Sequence, residues 1–587
     1  MAPERRGAHG RVATPRRVVQ PGQPGQPPAG EAAAEGQPGA QRAPVGRPTS
    51  IAQPGQVPPG RQTPARGQGA QPAHGSRRSQ QAQGTQRAGG AARGGGQRYR
   101  SDPSRRTAYD VLAAVAEREA YANLLLPRLL ADRGITGRDA ALATELTYGT
   151  LRGQGTYDAV LAACSDRPLD RLDPPVLHVL RLGAHQLLAT RVGDHAAVAT
   201  SVDLAKDTAG PRTSGYVNAV LRRVATRDLD QWLPIVAPRA DADPDGYLAI
   251  RHSYPRWIVA AYRDALGASG KGSGREITEL EAALAAGNER PRVTLAVSPS
   301  LVGAGGTTRD EVMPEGAEPT RWSPVGFTLA GGDPARLVAS GVAAVQDEAS
   351  QLAAILLSRA ETIAPSAGTA TSHPRPPAWL DMCAGPGGKA RMLASLAGLD
   401  GARLIAAEVH PHRARLVAVA LDAVAAPGTP AAPAGSRAWP PASQPAVIVA
   451  DGQHAPWRDA SFDRVLVDVP CTGLGALRRR PEARWRKSPA DLPGLGKLQR
   501  ALLRSALAAV RPGGVVGYVT CSPLLAETSD VVRDVLREAG DVEILDAPAL
   551  LPDVPDLEAA ADPRFAQFWP HRHGTDAIFV ALLRRGG

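Results

Sequence analysis

Two patterns of apolar and polar positions divide the chain into an N-terminal helical region and a C-terminal region of alternating elements. From about Ser104 to Trp232, apolar residues recur every three to four positions, which is typical of amphipathic helices. The predicted breaks lie at Gly134, Gly137, Gly153 and Pro174-Pro175. This spacing predicts a bundle of six or seven helices.

From Gln346 onward, short apolar segments alternate with helical stretches. After a predicted helix from Gln346 to Arg359, the predicted strands are Trp379 to Cys383, Arg403 to Glu408, Val447 to Asp451, Arg464 to Asp468, Val515 to Thr520 and Ala577 to Leu583. Short buried strands separated by helices predict the α/β class, here a doubly wound and mostly parallel sheet. Ligands of such sheets bind at the carboxyl ends of the strands.

These patterns predict four segments along the chain. They are a tail at 1–102, the helical domain at 103–235, a connecting α+β subdomain at 236–345 and the parallel-sheet domain at 346–587. Stretches rich in Gly, Pro, Ala and Ser, at 300–335, 361–377 and 426–446, are predicted to be surface insertions without a chemical role.

Composition changes the picture mainly for the tail. The 587-residue chain has a net charge of +11, yet its first 100 residues contain 15 Arg, no Lys and 3 Glu, which makes +12. Because this segment is rich in Gly, Pro and Gln and has one aromatic residue, Tyr99, it cannot bury enough apolar surface to fold. We predict a disordered tail that attracts polyanions without sequence preference. A solubilising tail without a partner is the alternative.

Cysteine usage and hydropathy exclude several classes of protein. The four cysteines, Cys164, Cys383, Cys471 and Cys521, form no CxxC pair and no Cys/His cluster with zinc-ligand spacing, so we predict neither a disulfide scaffold nor a metal site. No apolar run reaches 18 residues, and the N-terminus has no signal-peptide pattern. We therefore expect a cytoplasmic protein without a membrane partner.

The first candidate site is DMCAGPGGK, Asp381 to Lys389, where a predicted strand enters a glycine-bearing turn and then a helix. Glycines let the backbone approach a ligand closely and a helix start offers free N–H donors, although a packing turn explains such a pattern equally well. The pattern matches neither GxGxxG nor the GxxxxGK[ST] phosphate loop, which disfavours NAD and ATP. Glu408 and Asp451 end the next two predicted strands, where acids can bind a ribose and an adenine edge. Together these positions predict a site for a nucleoside cofactor.

Two further motifs, DVPCTGLG (Asp468 to Gly475) and VTCSP (Val519 to Pro523), each place a cysteine just beyond a predicted strand end. A free cysteine is most often a small buried hydrophobe, and that is the alternative for each thiol taken alone. Two cysteines at neighbouring strand ends, one of them preceded by Asp-Val-Pro, favour thiol chemistry. We predict that Cys471 and Cys521 meet at the mouth of one cleft.

These motifs resemble two known families. HAAV (His195 to Val198), Ser201 to Lys206 and YVNAVLR (Tyr216 to Arg222) resemble the helical RNA-binding domain of the NusB type. DMCAGPGGK, VQDEASQL (Val345 to Leu352), DVPCTGLG with the downstream RRRPEARW, and VTCSP are similar to the RsmB/Sun family of rRNA cytosine-5 methyltransferases, over roughly residues 103 to 587. Val469, Thr472 and Ala390 depart from the residues common in that family, but none of these changes removes a reacting group.

The resemblance implies a Rossmann-like methyltransferase domain and S-adenosylmethionine as its cofactor. The cofactor-binding residues it implies are Cys383, Ala384, Gly385, Pro386, Gly387, Gly388, Lys389, Glu408, Asp451 and Asp468. It also implies Cys521 as the nucleophile that adds to carbon 6 of cytosine, Cys471 as a second thiol that helps product release, and Asp468 as a contact to the base edge. The implied activity is formation of 5-methylcytosine in small-subunit (16S) rRNA. We separately expect a monomer.

Beside the second thiol motif lies the basic run RRRPEARWRK, Arg478 to Lys487. Next to a catalytic motif, such a run favours a rim that binds RNA phosphates and carries a stacking ring, whereas a solvated loop is the alternative. The predicted RNA-binding residues are Arg478, Arg479, Arg480, Arg484, Trp485 and Arg486. Chemistry on a base also requires an unpaired or flipped cytosine.

Two other functions stay open at this point. The first is the same chemistry on tRNA, because the catalytic motifs are shared. The second is a catalytically inactive RNA-binding assembly or antitermination factor, which the retention of both thiols, Asp468 and the glycine turn disfavours. Methylation of an exocyclic amine is also disfavoured, because Asp-Val-Pro-Cys replaces the Asn/Asp-Pro-Pro-aromatic loop expected for that reaction.

Overall fold

The structure is a computed structural model that describes residues 101–586 except 268–273, 303–307, 331–333, 365–375 and 426–443. Residues 1–100 of the predicted tail and most of the predicted insertions at 361–377 and 426–446 lie outside the described residues. The prediction of a surface insertion at 300–335 is wrong for its central part, because Ala317–Pro319 and Gly326–Leu329 are strands of a small sheet and Phe327 is buried. None of the described helices is long and apolar enough to cross a membrane.

The N-terminal part is helical, as predicted. Its helices are α1 (Pro103–Glu117), α2 (Ala122–Asp132), α3 (Gly137–Cys164), α4 (Pro174–Ala189), α5 (Asp194–Thr208), α6 (Ser214–Val224), α7 (Leu229–Val236), α8 (Pro244–His252), α9 (Arg256–Ala265) and α10 (Gly274–Ala286). Side-chain caps fix several starts: Asp102 accepts from the Arg105 N–H before α1, and Asp228 forms a capping box with Gln231 before α7. The described helices between residues 103 and 236 number seven, within the predicted range.

The predicted break at Gly153 is wrong, because α3 runs without interruption from Gly137 to Cys164. Its internal glycines make room for large side chains. A Cβ atom at Gly149 would collide with the His185 ring of α4, and one at Gly153 would collide with the ring of Tyr157. These positions are glycine for packing reasons and not for a turn.

A small antiparallel sheet follows the helices. It consists of β1 (Val293–Val297), β2 (Ala317–Pro319), β3 (Gly326–Leu329) and β4 (Ala343–Val345), in the order β2-β3-β1-β4. Two short helices, α11 (Arg309–Val312) and α12 (Ala335–Ala339), lie between the strands along the chain. Leu295 pairs with Phe327 on one side and Val345 on the other, so β1 is the central strand.

The large sheet contains strands β5 to β13 and fits the predicted α/β class. They are β5 (Ala378–Asp381), β6 (Arg403–Glu408), β7 (Ala446–Val449), β8 (Phe462–Asp468), β9 (Val510–Thr520), β10 (Val542–Leu545), β11 (Glu558–Ala559), β12 (Asp562–Gln567) and β13 (Phe579–Arg585). The order is β11-β12-β13-β9-β8-β5-β6-β7, with β10 on β13. Strands β5 to β9 pair in parallel, whereas β13 is antiparallel to β9.

Helices cover both faces of this sheet. They are α13 (Glu348–Arg359), α14 (Gly388–Leu399), α15 (Pro411–Ala425), α16 (Ala483–Arg486), α17 (Leu492–Ala509), α18 (Ser529–Leu536) and α19 (Pro570–His573). Consecutive strand residues pack on opposite faces: Trp379 and Val515 join the core with α13 and α14, whereas Leu380 and Val516 join the core with α17.

The strand order reverses at β5, which has β6 on one side and β8 on the other. In doubly wound sheets such a switch point forms the crevice in which ligands bind, at the carboxyl ends of the strands. The turn after β5 and the loop after β8 therefore face the same crevice.

Candidate active site

The glycine turn connects β5 to α14. Gly387 has a φ of +116°, a conformation that residues with a side chain rarely adopt, and α14 begins at the next residue. No atom lies within 4 Å of a Cβ atom built on Gly388, so the start of the helix faces open space. The first N–H groups of a helix have no partner within it, and here they are free for a ligand.

Glu408 lies directly against this turn. It ends β6, is 3% exposed, and accepts hydrogen bonds from the N–H groups of Gly385 (3.1 Å) and His410 (2.9 Å). A Cβ atom at Gly385 would collide with the Glu408 carboxylate, so this position requires glycine. A carboxylate has about four lone-pair sites. Glu408 therefore keeps acceptor capacity on both oxygens for a ligand.

Arg413 completes this corner, although no motif in the sequence identifies it. Its Nη2 donates to the carbonyl of Gly385 at 2.5 Å, and its Nη1 lies 3.5 Å from Glu408 Oε2. It reaches the turn from α15, five residues after Glu408. A cation at this distance compensates the charge of a nearly buried carboxylate.

Asp451 differs from the prediction that it ends the third strand. Strand β7 ends at Val449, and Asp451 precedes a short 3-10 turn, Gly452–His454. Its side chain is 38% exposed and accepts from the N–H of Gln453 at 2.9 Å and approaches Nδ1 of His454 at 3.1 Å. These contacts make Asp451 a rim residue, in contrast to the buried Glu408.

An ion pair links the glycine turn to the loop after β8. Nζ of Lys389 donates to Oδ2 of Asp468 at 2.8 Å. Burial acts to lower the pKa of Lys389, but the charge and the hydrogen bond of Asp468 outweigh it and raise the pKa above its ordinary value. Lys389 therefore stays protonated and places a positive charge at the bottom of the crevice.

Asp381 and Cys383 lie beneath this pair. Neither carboxylate oxygen of Asp381 has a side-chain hydrogen-bond partner, and the residue is fully buried. Burial, reinforced by the charge of Asp468, raises the pKa of Asp381 to about 7. Burial together with Asp381, Asp468 and Glu408 raises the pKa of Cys383 well above its ordinary value. Cys383 is thus held as a neutral thiol.

Cys471 and Cys521 meet, as the sequence predicted. Because β8 and β9 are parallel neighbours, with Asp468 opposite Val519, the loops that follow them lie side by side. The two Sγ atoms are 3.3 Å apart. The hydrogen bond from Cys471 lowers the pKa of Cys521 against the effect of burial, and the charges of Lys389 and Arg480 act in the same direction. The pKa of Cys521 is therefore the lower of the two, which favours Cys471 as the donor and Cys521 as the acceptor of this hydrogen bond.

Two buried side chains that the sequence did not single out hold the Cys471 loop. Oε1 of Glu527 accepts from the N–H of Thr472 at 2.8 Å and from Nε2 of Gln499 at 3.2 Å, while Oε2 accepts from Oγ1 of Thr472 at 2.5 Å. Nε2 of Gln499 also donates to the carbonyl of Pro470 at 2.9 Å. Both Glu527 and Gln499 are fully buried. The only sequence signal for Glu527 is an acid six residues after Cys521.

The basic run after Cys471 is not a solvated loop. Arg478 and Arg479 pair with two buried acids, Asp347 before α13 and Asp576 before β13, at nitrogen-to-oxygen distances of 2.7 to 3.6 Å. Arg484 is fully buried, where Nη1 donates to the carbonyl of Ser253 at 2.9 Å and to Oδ1 of Asn288 at 2.8 Å. These contacts correct the expectation of a rim for Arg478 and Arg484, whose guanidinium groups bind protein groups.

The rest of the run lies against the helical region. Arg486 donates to the carbonyls of Val115 and Ala120, and its guanidinium group stacks with that of Arg480 on the ring of Tyr121, each 5.4 Å from the ring centroid. Arg480 and Trp485 are the two predicted RNA contacts in this run that are exposed. They lie between the thiol pair and the helical bundle.

The parallel sheet, the glycine turn at its switch point and the acid at the end of β6 define a Rossmann-like methyltransferase domain, here preceded by a helical domain. Residues 372–584 match the family model described as 16S rRNA methyltransferase RsmB/F, and residues 102–226 match the NusB family. The chain belongs to the RsmB/Sun family and is an S-adenosylmethionine-dependent methyltransferase.

Relatives extend this match over most of the chain. A Mycobacterium tuberculosis protein, Rv1407, named as a methyltransferase with no substrate stated, is 49% identical over 82% of this chain and 97% of its own length. Ribosomal RNA small subunit methyltransferase B of Pseudomonas putida is 30% identical over 82% of this chain and 98% of its own length. The crystal structure of PH0851 shares the fold, with a TM-score of 0.62 at 20% identity over 82% of this chain and 99% of that one.

The residues at the switch point fit S-adenosylmethionine. The open space above Gly388 accommodates a ligand against the start of α14, and the remaining lone pairs of Glu408 suit the two hydroxyls of a ribose. The Lys389–Asp468 pair separates this side of the crevice from the thiol pair.

Proposed function

We propose that this protein forms 5-methylcytosine in small-subunit rRNA through a covalent bond between Cys521 and the target cytosine. The observation that carries the proposal is the thiol pair, with its 3.3 Å separation and the lowered pKa of Cys521. Carbon 5 of cytosine is a poor nucleophile, and addition of a thiolate at carbon 6 makes it reactive. The rRNA substrate is supported by the family match and by the name of the P. putida relative.

The proposed reaction begins when the Cys521 thiolate forms a bond to carbon 6, which makes carbon 5 electron-rich. S-adenosylmethionine, when bound, supplies an electrophilic methyl group. Asp468 and Lys389 lie next to the thiol pair, where Asp468 contacts the base edge near ring nitrogen 3 and the positive charge of Lys389 offsets the negative charge that develops there. In this proposal Lys389 also keeps the Asp468 side chain oriented.

Product release requires the second thiol. After methyl transfer, carbon 5 loses its proton, the sulfur–carbon 6 bond breaks, and Cys521 leaves as a thiolate. Cys471 lies within 3.3 Å of Cys521 and has a pKa well above the ordinary value, raised first by its hydrogen bond to Cys521 and then by burial. We assign to Cys471 the transfer of the carbon-5 proton: once the Cys521 sulfur is bonded to carbon 6 it no longer carries the charge that holds the Cys471 proton, so Cys471 gives that proton to water and its thiolate then takes the proton from carbon 5.

RNA contacts are proposed for the exposed part of the basic run and for the NusB-type domain. Arg480 is close enough to the thiols to lower the pKa of Cys521 by its charge, and Trp485 is 36% exposed. Arginine and tryptophan side chains bind phosphates and stack on unpaired bases. We propose that the other four residues support Arg480 and Trp485 structurally; they are Arg478, Arg479, Arg484 and Arg486.

The experiment that tests the function is bisulfite sequencing of 16S rRNA and tRNA after incubation of unmodified RNA with the purified protein and S-adenosylmethionine. We expect one new 5-methylcytosine in 16S rRNA and none in tRNA or with Cys521→Ala. A modified cytosine in tRNA alone would replace the proposed substrate. A methyl group at any atom other than carbon 5 would refute the proposed chemistry.

A further inference from the structure

The two thiols come from different loops, and the distance between them depends on what ties those loops together. Cys521 follows β9 directly, so the sheet fixes it. Cys471 lies in an irregular loop after β8, between Pro470 and Thr472. A loop of this kind needs bonds to another element to hold a side chain within a few tenths of an ångström.

Glu527 supplies these bonds, and it is itself anchored to the strand that carries Cys521. The hydroxyl of Tyr518, in β9, donates to the backbone carbonyl of Glu527 at 2.7 Å. The Glu527 side chain then binds Thr472 through both the backbone N–H and the hydroxyl. A chain of hydrogen bonds thus connects β9 through Glu527 to Thr472, the residue next to Cys471.

The same carboxylate places a negative charge beside Cys471. The charges of Cys521, Glu527 and Asp468 raise the pKa of Cys471, and Tyr518 also lies near it; the nearest cations act on the neighbours of Cys471, with Lys389 and Arg480 near Cys521 and Arg500 near Tyr518. Cys521 is also near Asp468, but Lys389 and Arg480 oppose that charge. Negative charge next to one thiol and positive charge next to the other favours a proton on Cys471 and a thiolate at Cys521.

We propose that Glu527 is a positioning residue that holds the Cys471 loop against Cys521 and, through its charge, keeps Cys471 protonated so that it donates to the Cys521 thiolate. This role deepens the proposed function and rests on it for its catalytic meaning. The Thr472 N–H and the Gln499 amide donate to Oε1 of Glu527, and the Thr472 hydroxyl bonds to Oε2.

Glutamine at this position separates the two parts of the role. In Glu527→Gln the amide oxygen can accept from the Thr472 N–H and from Gln499, while the amide nitrogen can donate to the Thr472 hydroxyl, which is free to rotate. The bonds to the loop are then retained and only the charge is lost. Glu527→Ala removes both, and Thr472→Val removes one bond but leaves the charge.

The test is the pH dependence of alkylation of Cys471 and Cys521 by iodoacetamide, read peptide by peptide by mass spectrometry in the full chain without RNA or cofactor. In the native protein we expect Cys521 to react first and Cys471 only at higher pH. In Glu527→Gln the onset for Cys471 should move down by about one pH unit, which is roughly a 10-fold faster reaction at a fixed pH below its pKa. Glu538→Gln, an exposed acid 11 residues further along that pairs with Arg504, is the matched control and should not change either profile.

A second measurement follows the covalent RNA complex on denaturing gels. Glu527→Ala should accumulate the complex, as a partial copy of Cys471→Ala, whereas Thr472→Val should do so to a smaller extent. Unchanged labelling profiles in folded Glu527→Gln would overturn the proposal, whatever Glu527→Ala does. Shifted profiles with no covalent complex in any variant would support the role of Glu527 and refute the proposed cytosine chemistry.

Discussion

Two regions of this molecule bury ionisable side chains and do so to opposite effect. In the helical region, burial lowers the pKa of His178 and of His185 to about 4, and each is held neutral. His185 accepts or donates a single bond to Tyr157 at 2.9 Å and fills the space that Gly149 leaves. In the crevice several ionisable groups are buried together, and each changes the pKa of its neighbours.

The comparison shows that burial of a single ionisable group favours its neutral form. When several ionisable groups are buried together, their charges and hydrogen bonds decide which of them is charged. Lys389 keeps its proton because Asp468 is 2.8 Å away, and the hydrogen bond with Cys471 lowers the pKa of Cys521. The histidines of the helical region lie near arginine, which favours the neutral form further. Changes in the crevice should therefore alter chemistry, while equivalent changes in the helical region should alter stability.

Cysteine-to-alanine variants test this contrast with the largest expected effect. Cys521→Ala should reduce methylation below detection and form no covalent RNA complex, because no thiolate remains to attack carbon 6. Cys471→Ala should accumulate a complex that requires S-adenosylmethionine and survives a denaturing gel.

Cys164 in α3 is the matched control for both variants, because it is a buried thiol of the helical region. Cys164→Ala should cost about 1 kcal/mol of stability and leave turnover unchanged. Loss of activity in this variant, or full activity in Cys521→Ala, would remove the distinction between the two regions.

Asp468→Asn breaks the ion pair at the floor of the crevice. The variant keeps the shape of the side chain but loses the charge that raises the pKa of Lys389. We expect kcat to fall by roughly 100-fold to 1000-fold, as for loss of one group that stabilises a developing charge. Single-turnover kinetics with the KM for RNA measured in parallel would check this, and a change in KM alone would contradict the assigned role.

Alanine substitutions of the two acids near the cofactor site, Glu408 and Asp451, should weaken cofactor binding to different extents. Glu408→Ala removes a nearly buried carboxylate at the glycine turn and should weaken S-adenosylmethionine binding by about 1.5 to 3 kcal/mol, or roughly 10-fold to 150-fold in Kd. Asp451→Ala should have a smaller effect, because this carboxylate is exposed and bound to Gln453 and His454. Isothermal calorimetry measures both, and RNA affinity should remain near the native value.

The basic run offers a comparison between neighbouring arginines. Arg484→Met should lower the free energy of unfolding by about 2 to 3 kcal/mol, because it leaves the Ser253 carbonyl and the Asn288 side chain without their donor. Arg480→Ala should leave stability unchanged and weaken RNA binding with a reduced dependence on salt. Denaturant titrations and filter binding at two salt concentrations distinguish them, and the reverse outcome would exchange their roles.

The two regions should also respond differently to pH. At pH 5 an unfolded histidine with a pKa near 6.5 is charged, whereas His178 and His185 stay neutral, so each costs about 2 kcal/mol relative to neutral pH. Asp381 has the opposite sign. Its folded pKa of about 7 lies above the unfolded value, so its penalty grows as pH rises from 4 to 7 and is relieved at pH 5.

Hydrogen exchange at pH 7 and pH 5, corrected for intrinsic rates, measures these terms locally. Protection in α3 and α4 should fall at the lower pH, while protection in β5 and β8 should not fall with it. An equal loss in both regions would show that the buried histidines and Asp381 do not act separately.

Much of the fold can be predicted from local sequence patterns, because the spacing of apolar residues and the positions of strand ends depend on neighbouring residues. The α/β class, the helical bundle and the meeting of Cys471 with Cys521 required only the alternation of elements and the rule that parallel strands end on one edge. The break at Gly153 was wrong because a glycine looks the same whether it turns the chain or makes room for Tyr157. The partner of such a glycine is visible only in three dimensions.

The residues that sequence patterns place wrongly, or do not identify, depend on distant partners in the same way. Arg484 is predicted at the surface because arginine is rarely buried, and only its distant partners Ser253 and Asn288 explain its burial. Glu527 and Arg413 act on Thr472 and Gly385, 55 and 28 residues away along the chain. Composition and spacing carry no information about such pairs.

The contact between Gly155 and Trp485 limits how this protein can change over evolution. A Cβ atom at Gly155 would lie 2.6 Å from the Trp485 ring, and the Ala122 N–H donates to Glu482 three residues before that ring, so α2 and α3 are fitted to the segment that follows Cys471. Exchange of the helical domain for another of the same fold would bring a side chain to position 155 unless the incoming helix also carried glycine there. A chimaera made at residue 236 should therefore pack against the segment after Cys471 only when position 155 is glycine.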